Sequence, residues 1–131
     1  MKKLILISAL LLVVIGCEKK EPALVFTGSE VDLKKFKALN SCVGCDLRGA
    51  DLRGADLGGA DFIDTNLNGA NLEDANLEGA DSWRAIFRFA NLNGADLRGA
   101  NLTKTQLENT KLDGAKFCKT QMPWGEVNDN C

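Results

Sequence analysis

The cysteines are the residues of this 131-residue chain whose type and spacing could do chemistry. Cys42 and Cys45 form a Cys-x-x-Cys pair, which can supply half of a tetrahedral zinc site or a redox-active disulfide. A zinc site of this kind needs two further soft ligands nearby, and the chain contains no His. We therefore predict no metal site and no cofactor, and we interpret Cys42 and Cys45 as structural residues that face a core, where Cys acts as a small apolar side chain.

Cys17 stands in a different context, at the end of an apolar N-terminal stretch. Residues 1–16 combine a short basic start with an uninterrupted apolar run, which is typical of a secretory signal peptide. The run is shorter than the ~20 residues that a membrane span requires. The Gly16-Cys17 ending resembles a bacterial lipobox, in which the Cys carries lipid and becomes the mature N-terminus. This resemblance implies a lipid anchor on Cys17 in the cell envelope, with residues 17–28 as lipidated N-terminus and polar tether. Glu18, which follows the Cys in place of Asp, resembles the sequence of outer-membrane lipoproteins in enteric bacteria, so we predict the outer membrane, facing the periplasm.

Four cysteines then remain for an oxidising compartment, and they permit three pairings. We predict that Cys118 and Cys131 form a disulfide, because it would close a small loop and pin the C-terminal tail. Cys42 and Cys45 are then the remaining possible pair. Their three-residue separation permits a disulfide without requiring one, so their redox state stays open.

A five-residue repeat, Ala-(Asp/Asn)-Leu-x-Gly, occupies most of the chain from residue 45 to residue 119. A period of five fits neither a helix nor an extended strand. It fits a chain that turns a corner every five residues, with the small residue and the Leu inward, the Asp or Asn outward and the Gly at the corner. One unit cannot bury its own Leu, so successive turns must stack into a solenoid.

The repeat resembles the pentapeptide-repeat family, whose motif is Ala-(Asp/Asn)-Leu-x-x, over fifteen consecutive units. The resemblance implies an all-β solenoid, a right-handed quadrilateral β-helix over residues 42–119, with four units in each of about four coils. Residues twenty apart then stack. We expect Ser82 to lie in the core between Phe62 and Leu102, and its hydroxyl to need a backbone partner.

Both ends of the predicted stack carry segments outside the repeat. We predict a helix over 29–39, within an N-terminal capping segment 29–41, because Ser29 with Asp32 resembles a capping box. Its lysines leave open the alternative of an amphipathic helix lying on anionic lipid. Residues 120–131 break the period at a Met-Pro-x-Gly turn and resemble the ending of a subset of the family. We predict that they fold back as a C-terminal cap, since the open ends of a solenoid need covering.

The repeat loses its regularity at residues 82–89. In register, Trp83 and Ile86 point outward, and Phe89 takes a corner that Gly usually holds. We define the Trp83 patch by its residues: Ile63, Trp83, Arg84, Ile86, Arg88 and Phe89. Exposed aromatic side chains beside arginines are typical of protein-contact surfaces. The alternative is that a terminal segment or a self-association contact covers the patch.

We predict that the chain is not an enzyme. It lacks the usual general base near neutral pH, and it has no Tyr and no glycine-rich phosphate loop. Its first four repeat aspartates would point from four different sides, so they could not converge on a cation or form an acid–base pair. These are Asp46, Asp51, Asp56 and Asp61.

Some pentapeptide-repeat proteins are thought to mimic DNA and to bind topoisomerases. That role needs a cytoplasmic address and a strongly acidic surface, whereas this chain carries an export signal, a formal net charge of −2 and outward residues of mixed sign. The mimic stays an alternative only if the export signal is misread, and we predict no nucleic-acid partner.

Two hypotheses of function follow from the sequence. The first is a membrane-anchored lipoprotein that acts as a protein-interaction module and binds another envelope protein through the Trp83 patch. The alternative is a structural or stress-related envelope protein without a dedicated partner site. Either protein would be a monomer or a weak homodimer.

Overall fold

A computed structural model of the protein describes residues 28–129 and 131. Its helix and strands are α1 (Glu30–Leu39), β1 (Thr120–Met122) and β2 (Gly125–Val127). The predicted signal peptide 1–16, the lipidation site Cys17 and nearly all of the tether lie outside the described residues.

Helix α1 begins where the sequence predicts a cap. The backbone N–H of Asp32 donates to the Ser29 hydroxyl at 3.1 Å, and Asn40, in the left-handed conformation, ends the helix by donating to the Phe36 carbonyl. Only half of the capping box forms. Instead of reaching back to the backbone of Ser29, the Asp32 carboxylate accepts the backbone N–H of Asp46 in the first coil at 2.9 Å.

The repeat region is a stack of coils joined by single parallel β-bridges. Each bridge joins two residues twenty apart, from Ser41 with Asp61 to Asn101 with Gln121. With a period of five, this offset gives four units in each coil. Inside the stack, the backbone N–H of a central Leu donates to the next coil, as Leu67 N–H does to Ile86 O, and the N–H of an outward Asn or Asp donates to the previous coil, as Asn71 N–H does to Ala50 O.

The corners explain the glycines of the repeat, since their backbones have positive φ. One corner recurs in four successive coils, as Gly49 (φ 72°), Gly69 (φ 71°), Phe89 (φ 61°) and Asn109 (φ 61°). Phe89 therefore holds a left-handed backbone conformation that favours Gly.

The core is a column of inward Leu, Phe and Ala side chains, as the period predicts. Ser82 is buried. It occupies the same position of the repeat as Phe62 in the coil before it and Leu102 in the coil after it, which are both buried. The expected backbone partner of the Ser82 hydroxyl is absent among residues 28–129 and 131. The backbone of Ser82 keeps its place in the ladder, since Ser82 N–H donates to Asn101 O and Ala85 N–H donates to Ser82 O.

Non-repeat segments contact both ends of the stack. At the first coil, the Phe36 ring of α1 lies 4.8 Å from the Phe62 ring, centroid to centroid. At the other end, β1 and β2 form an antiparallel pair, and Gln121 in β1 continues the parallel bridges. A disulfide joins Cys118 to Cys131, with their Cα atoms 5.0 Å apart.

Candidate functional site

The first part of the Trp83 patch is an apolar column on one side of the coil. Backbone hydrogen bonds from Gly44 N–H to Ile63 O and from Asp64 N–H to Trp83 O place positions 43, 63 and 83 at successive levels. Val43 is 54 % exposed, whereas Ile63 and Trp83 are half-buried. Sequence reasoning missed Val43, although its offset of twenty from Ile63 could have identified it.

Two cations lie against the Trp83 ring. The Arg84 guanidinium carbon is 4.7 Å from the ring centroid, and the Lys104 ammonium nitrogen is 5.6 Å from it. Arg84 also forms an ion pair with Asp64 at 2.8 Å. Such contacts orient the indole and keep positive charge over the face of its ring. Lys104 was missed from the sequence, although it stands twenty residues after Arg84.

The second part of the patch lies around the next corner. Phe89 is 58 % exposed, and the Arg88 guanidinium carbon is 6.0 Å from its ring centroid. Arg88 also pairs with Glu108 at 3.6 Å. Ile86 is half-buried and lies between the turns at 83–84 and 88–89, so it connects the two parts. The six residues therefore lie at two neighbouring corners of the coil and on the side between them.

Elsewhere on the surface, arginines pair with the aspartate two residues before them. Arg98 Nε donates to Asp96 Oδ1 at 2.8 Å, and Arg48 and Arg53 do the same with Asp46 and Asp51. This hydrogen bond is the main reason why the pKa of each of these three carboxyl groups lies below its ordinary value. The pairs leave this surface mixed in sign and polar, whereas the Trp83 patch combines its ion pairs with aromatic and aliphatic side chains.

A second cluster lies between α1 and the first coil. A disulfide joins Cys42 and Cys45, which are both buried, with their Cα atoms 5.4 Å apart. Asp32 completes the cluster, because one of its carboxylate oxygens and the two Sγ atoms all lie within 4.8 Å of one another. Sequence reasoning treated Asp32 as a helix cap and missed it. No spacing rule connects the first turn of a helix to a turn ten residues later.

The C-terminal segment exposes its own aromatic residue, Trp124, at the turn between β1 and β2, where it is 68 % exposed. Across residues 28–129 and 131, α1 is too short and too polar to cross a membrane, and the described part of the chain has no other candidate span.

Comparisons with known proteins place the repeat in a wider group. The family model for "Pentapeptide repeats" matches residues 41–81 and 84–120 in 8 copies. A solved pentapeptide repeat protein from Nostoc Pcc 7120 is similar at 30% sequence identity and a TM-score of 0.64, over 79% of this chain and 88% of that chain. No curated protein matches the chain significantly.

Two further solved structures match with lower TM-scores. A pentapeptide repeat protein from the cyanobacterium Cyanothece 51142 is 26% identical, with a TM-score of 0.45 over 68% of this chain and 95% of that chain. A pentapeptide repeat protein from the Arabidopsis thaliana thylakoid lumen is 26% identical, with a TM-score of 0.40 over 79% of each chain.

Proposed function

Because this chain belongs to the pentapeptide-repeat family and has its right-handed quadrilateral β-helix, we propose that it is a non-enzymatic protein-interaction module. In this proposal the module is a lipoprotein of the bacterial cell envelope, anchored to a membrane through lipid on Cys17. The family supports an interaction or structural role over a catalytic one. The signal-like residues 1–16 and the Gly16-Cys17 ending support the anchor.

The architecture proposed for the module has about four coils and a cap at each end. Helix α1 would close the first coil, supported by the buried Phe36 ring against Phe62. The pair of β1 with β2 would close the last coil, supported by the buried Met122 and by the disulfide that ties Cys118 to Cys131.

The observation that carries the interaction proposal is the state of Phe89. Its side chain is 58 % exposed and its φ is 61°, at a corner that Gly holds one and two coils earlier. A left-handed backbone costs an ordinary residue about 1–2 kcal/mol, and an exposed ring returns little of that in burial. An aromatic that costs folding stability is consistent with selection for contact with a partner.

Site-specific photo-crosslinking tests the proposal. A photo-reactive amino acid at position 89 should capture a partner in intact envelopes, whereas the same group at position 124 should not. Positions 89 and 124 are a matched pair, since both native residues are exposed aromatics. The capture should be lost on Trp83→Ala and kept on Trp124→Ala. Equal capture from positions 89 and 124 would contradict the patch as the site.

Dependence on Cys17 tests the anchor separately. Metabolic labelling with palmitate should mark the mature protein, and Cys17→Ser should abolish the label. A label that persists in the variant refutes the assignment of the lipid to Cys17, whatever the outcome at the Trp83 patch.

One observation favours the second candidate, a structural envelope protein without a partner site. The Trp83 ring already has Arg84 and Lys104 against it, so part of its surface is covered by the chain itself. Fluorescence quenching of Trp83 in a Trp124→Phe background distinguishes the interaction module from the structural protein. Strong quenching of Trp83 by a polar quencher in the monomer supports the interaction module, and weak quenching supports the structural role.

A further inference from the structure

Three ligand atoms converge where α1 meets the first coil. They are the Sγ atoms of Cys42 and Cys45 and one carboxylate oxygen of Asp32, all within 4.8 Å of one another. We propose that reduction of the Cys42–Cys45 disulfide converts this cluster into a binding site for a thiophilic divalent cation, represented by Zn²⁺. The two thiolates and the Asp32 carboxylate are its ligands. The reduced protein therefore binds the cation, and the oxidised protein does not.

The turn that carries both cysteines is held by backbone hydrogen bonds. Cys42 N–H donates to Asp61 O at 3.0 Å, Gly44 N–H donates to Ile63 O at 2.8 Å, and Cys45 N–H donates to Cys42 O at 3.2 Å. None of these bonds involves sulfur. The turn therefore keeps the two cysteines side by side after reduction, at a spacing typical of zinc-binding Cys-x-x-Cys pairs.

Asp32 is positioned from the helix side. Its backbone N–H is fixed by Ser29 at 3.1 Å, and its Oδ2 accepts the Asp46 N–H at 2.9 Å. A carboxylate has roughly four acceptor positions, so this single bond orients the group and leaves capacity for a cation. The Cys42 Sγ lies 3.6 Å from the backbone oxygen of Asp32, which shows how closely the turn approaches α1.

The ligand set selects the class of metal. Thiolates favour Zn²⁺ and related soft or borderline ions over Mg²⁺ and Ca²⁺, which prefer oxygen ligands. Two thiolates and one carboxylate fill three of the four tetrahedral positions of Zn²⁺, and water completes the set. The disulfide form lacks thiolates, so it does not bind the ion.

The redox step balances with a dithiol reductant. The reductant gives two electrons to the Cys42–Cys45 bond and becomes a disulfide, and its two protons pass to the two cysteine sulfurs. Binding of Zn²⁺ then releases both protons to solvent, because the metal ligands are thiolates. Binding is consequently tighter as the pH rises.

The test measures Zn²⁺ affinity of the full chain in detergent by competition with a chromophoric chelator. Cys17, Cys118 and Cys131 are replaced by Ser, so that Cys42 and Cys45 are the sole source of thiols, and circular dichroism checks the fold. The reduced protein should bind one Zn²⁺ per chain, and the oxidised protein should bind none. Asp32→Asn should weaken binding roughly tenfold or more. Glu30→Gln, which removes an exposed carboxylate from the same helical turn, should leave it unchanged.

Co²⁺ gives a second readout, because two thiolate ligands produce an intense sulfur-to-metal absorption that a site made of carboxylates lacks. The proposal is overturned if the reduced protein takes up less than one Zn²⁺ per chain, or if the oxidised protein binds as tightly as the reduced one. An Asp32→Asn variant with unchanged affinity also overturns it, since Cys42 and Cys45 would then act without the third ligand.

Discussion

The rings of Phe36 and Phe62 pack against each other with their centroids 4.8 Å apart, and this contact joins α1 to the first coil. Phe36 is the only fully buried residue of α1. Val31 at 76 % and Leu39 at 64 % exposure face solvent, whereas Leu33 is partly buried against the core. Docking of the helix therefore depends mainly on Phe36, with Leu33 partly buried beside the core, and on the polar bonds around Asp32.

Phe36→Ala should lower the free energy of unfolding by about 3 kcal/mol, because it removes a buried ring and leaves a cavity against Phe62. Leu39→Ala is the matched control on the same helix and should change it by less than about 0.5 kcal/mol. Urea unfolding followed by circular dichroism measures both. Equal effects of the two substitutions would show that α1 does not dock through Phe36.

Phe89→Gly should raise the free energy of unfolding by about 0.5–1 kcal/mol, because Gly adopts φ 61° without the strain that a side chain meets there. Gly69→Ala changes the same corner one coil earlier, where φ is 71°, and should lower the stability by about 1 kcal/mol. Thermal unfolding of both variants measures these changes in stability. A less stable Phe89→Gly protein would mean that the ring packs on the coil, which would weaken the case for a partner site.

The period of five predicts the inward Leu and Ala, the corners and the position of Ser82, because each follows from one repeated geometry. The number of units per coil and the hand of the helix came from family resemblance, since no periodicity encodes them. Val43 and Lys104 were predictable from the twenty-residue offset. Asp32 was not, because its approach to Cys42 depends on how a non-repeating helix docks on the first coil.

Arg98→Gln should raise the pKa of Asp96 towards its ordinary value, since the hydrogen bond from Arg98 is the main cause of its lowering. A carboxyl group with a lowered pKa stabilises the folded state above its unfolded pKa, and this contribution is lost as pH falls through the folded pKa. The variant should therefore lose stability at neutral pH and show a shallower loss on acidification. NMR titration of the carboxyl carbons measures the shift in pKa.

Arg53→Gln is the control, because it should raise the pKa of Asp51 and leave the pKa of Asp96 unchanged. A change in the pKa of Asp96 in this variant would indicate a long-range effect of charge instead of the hydrogen bond from Arg98.

Ser82→Ala should raise the free energy of unfolding by about 1 kcal/mol. The Ser82 side chain is buried, and within residues 28–129 and 131 its hydroxyl makes no hydrogen bond, so its removal relieves a desolvated polar group. Thr65→Val is the opposite case, because the Thr65 hydroxyl donates to the Cys42 carbonyl at 2.6 Å, and that loss should cost about 1 kcal/mol. Chemical denaturation measures whether each substitution raises or lowers the free energy of unfolding. If Ser82→Ala is destabilising like Thr65→Val, the Ser82 hydroxyl has a partner such as an ordered water. The break in the apolar column would then be a hydrated site.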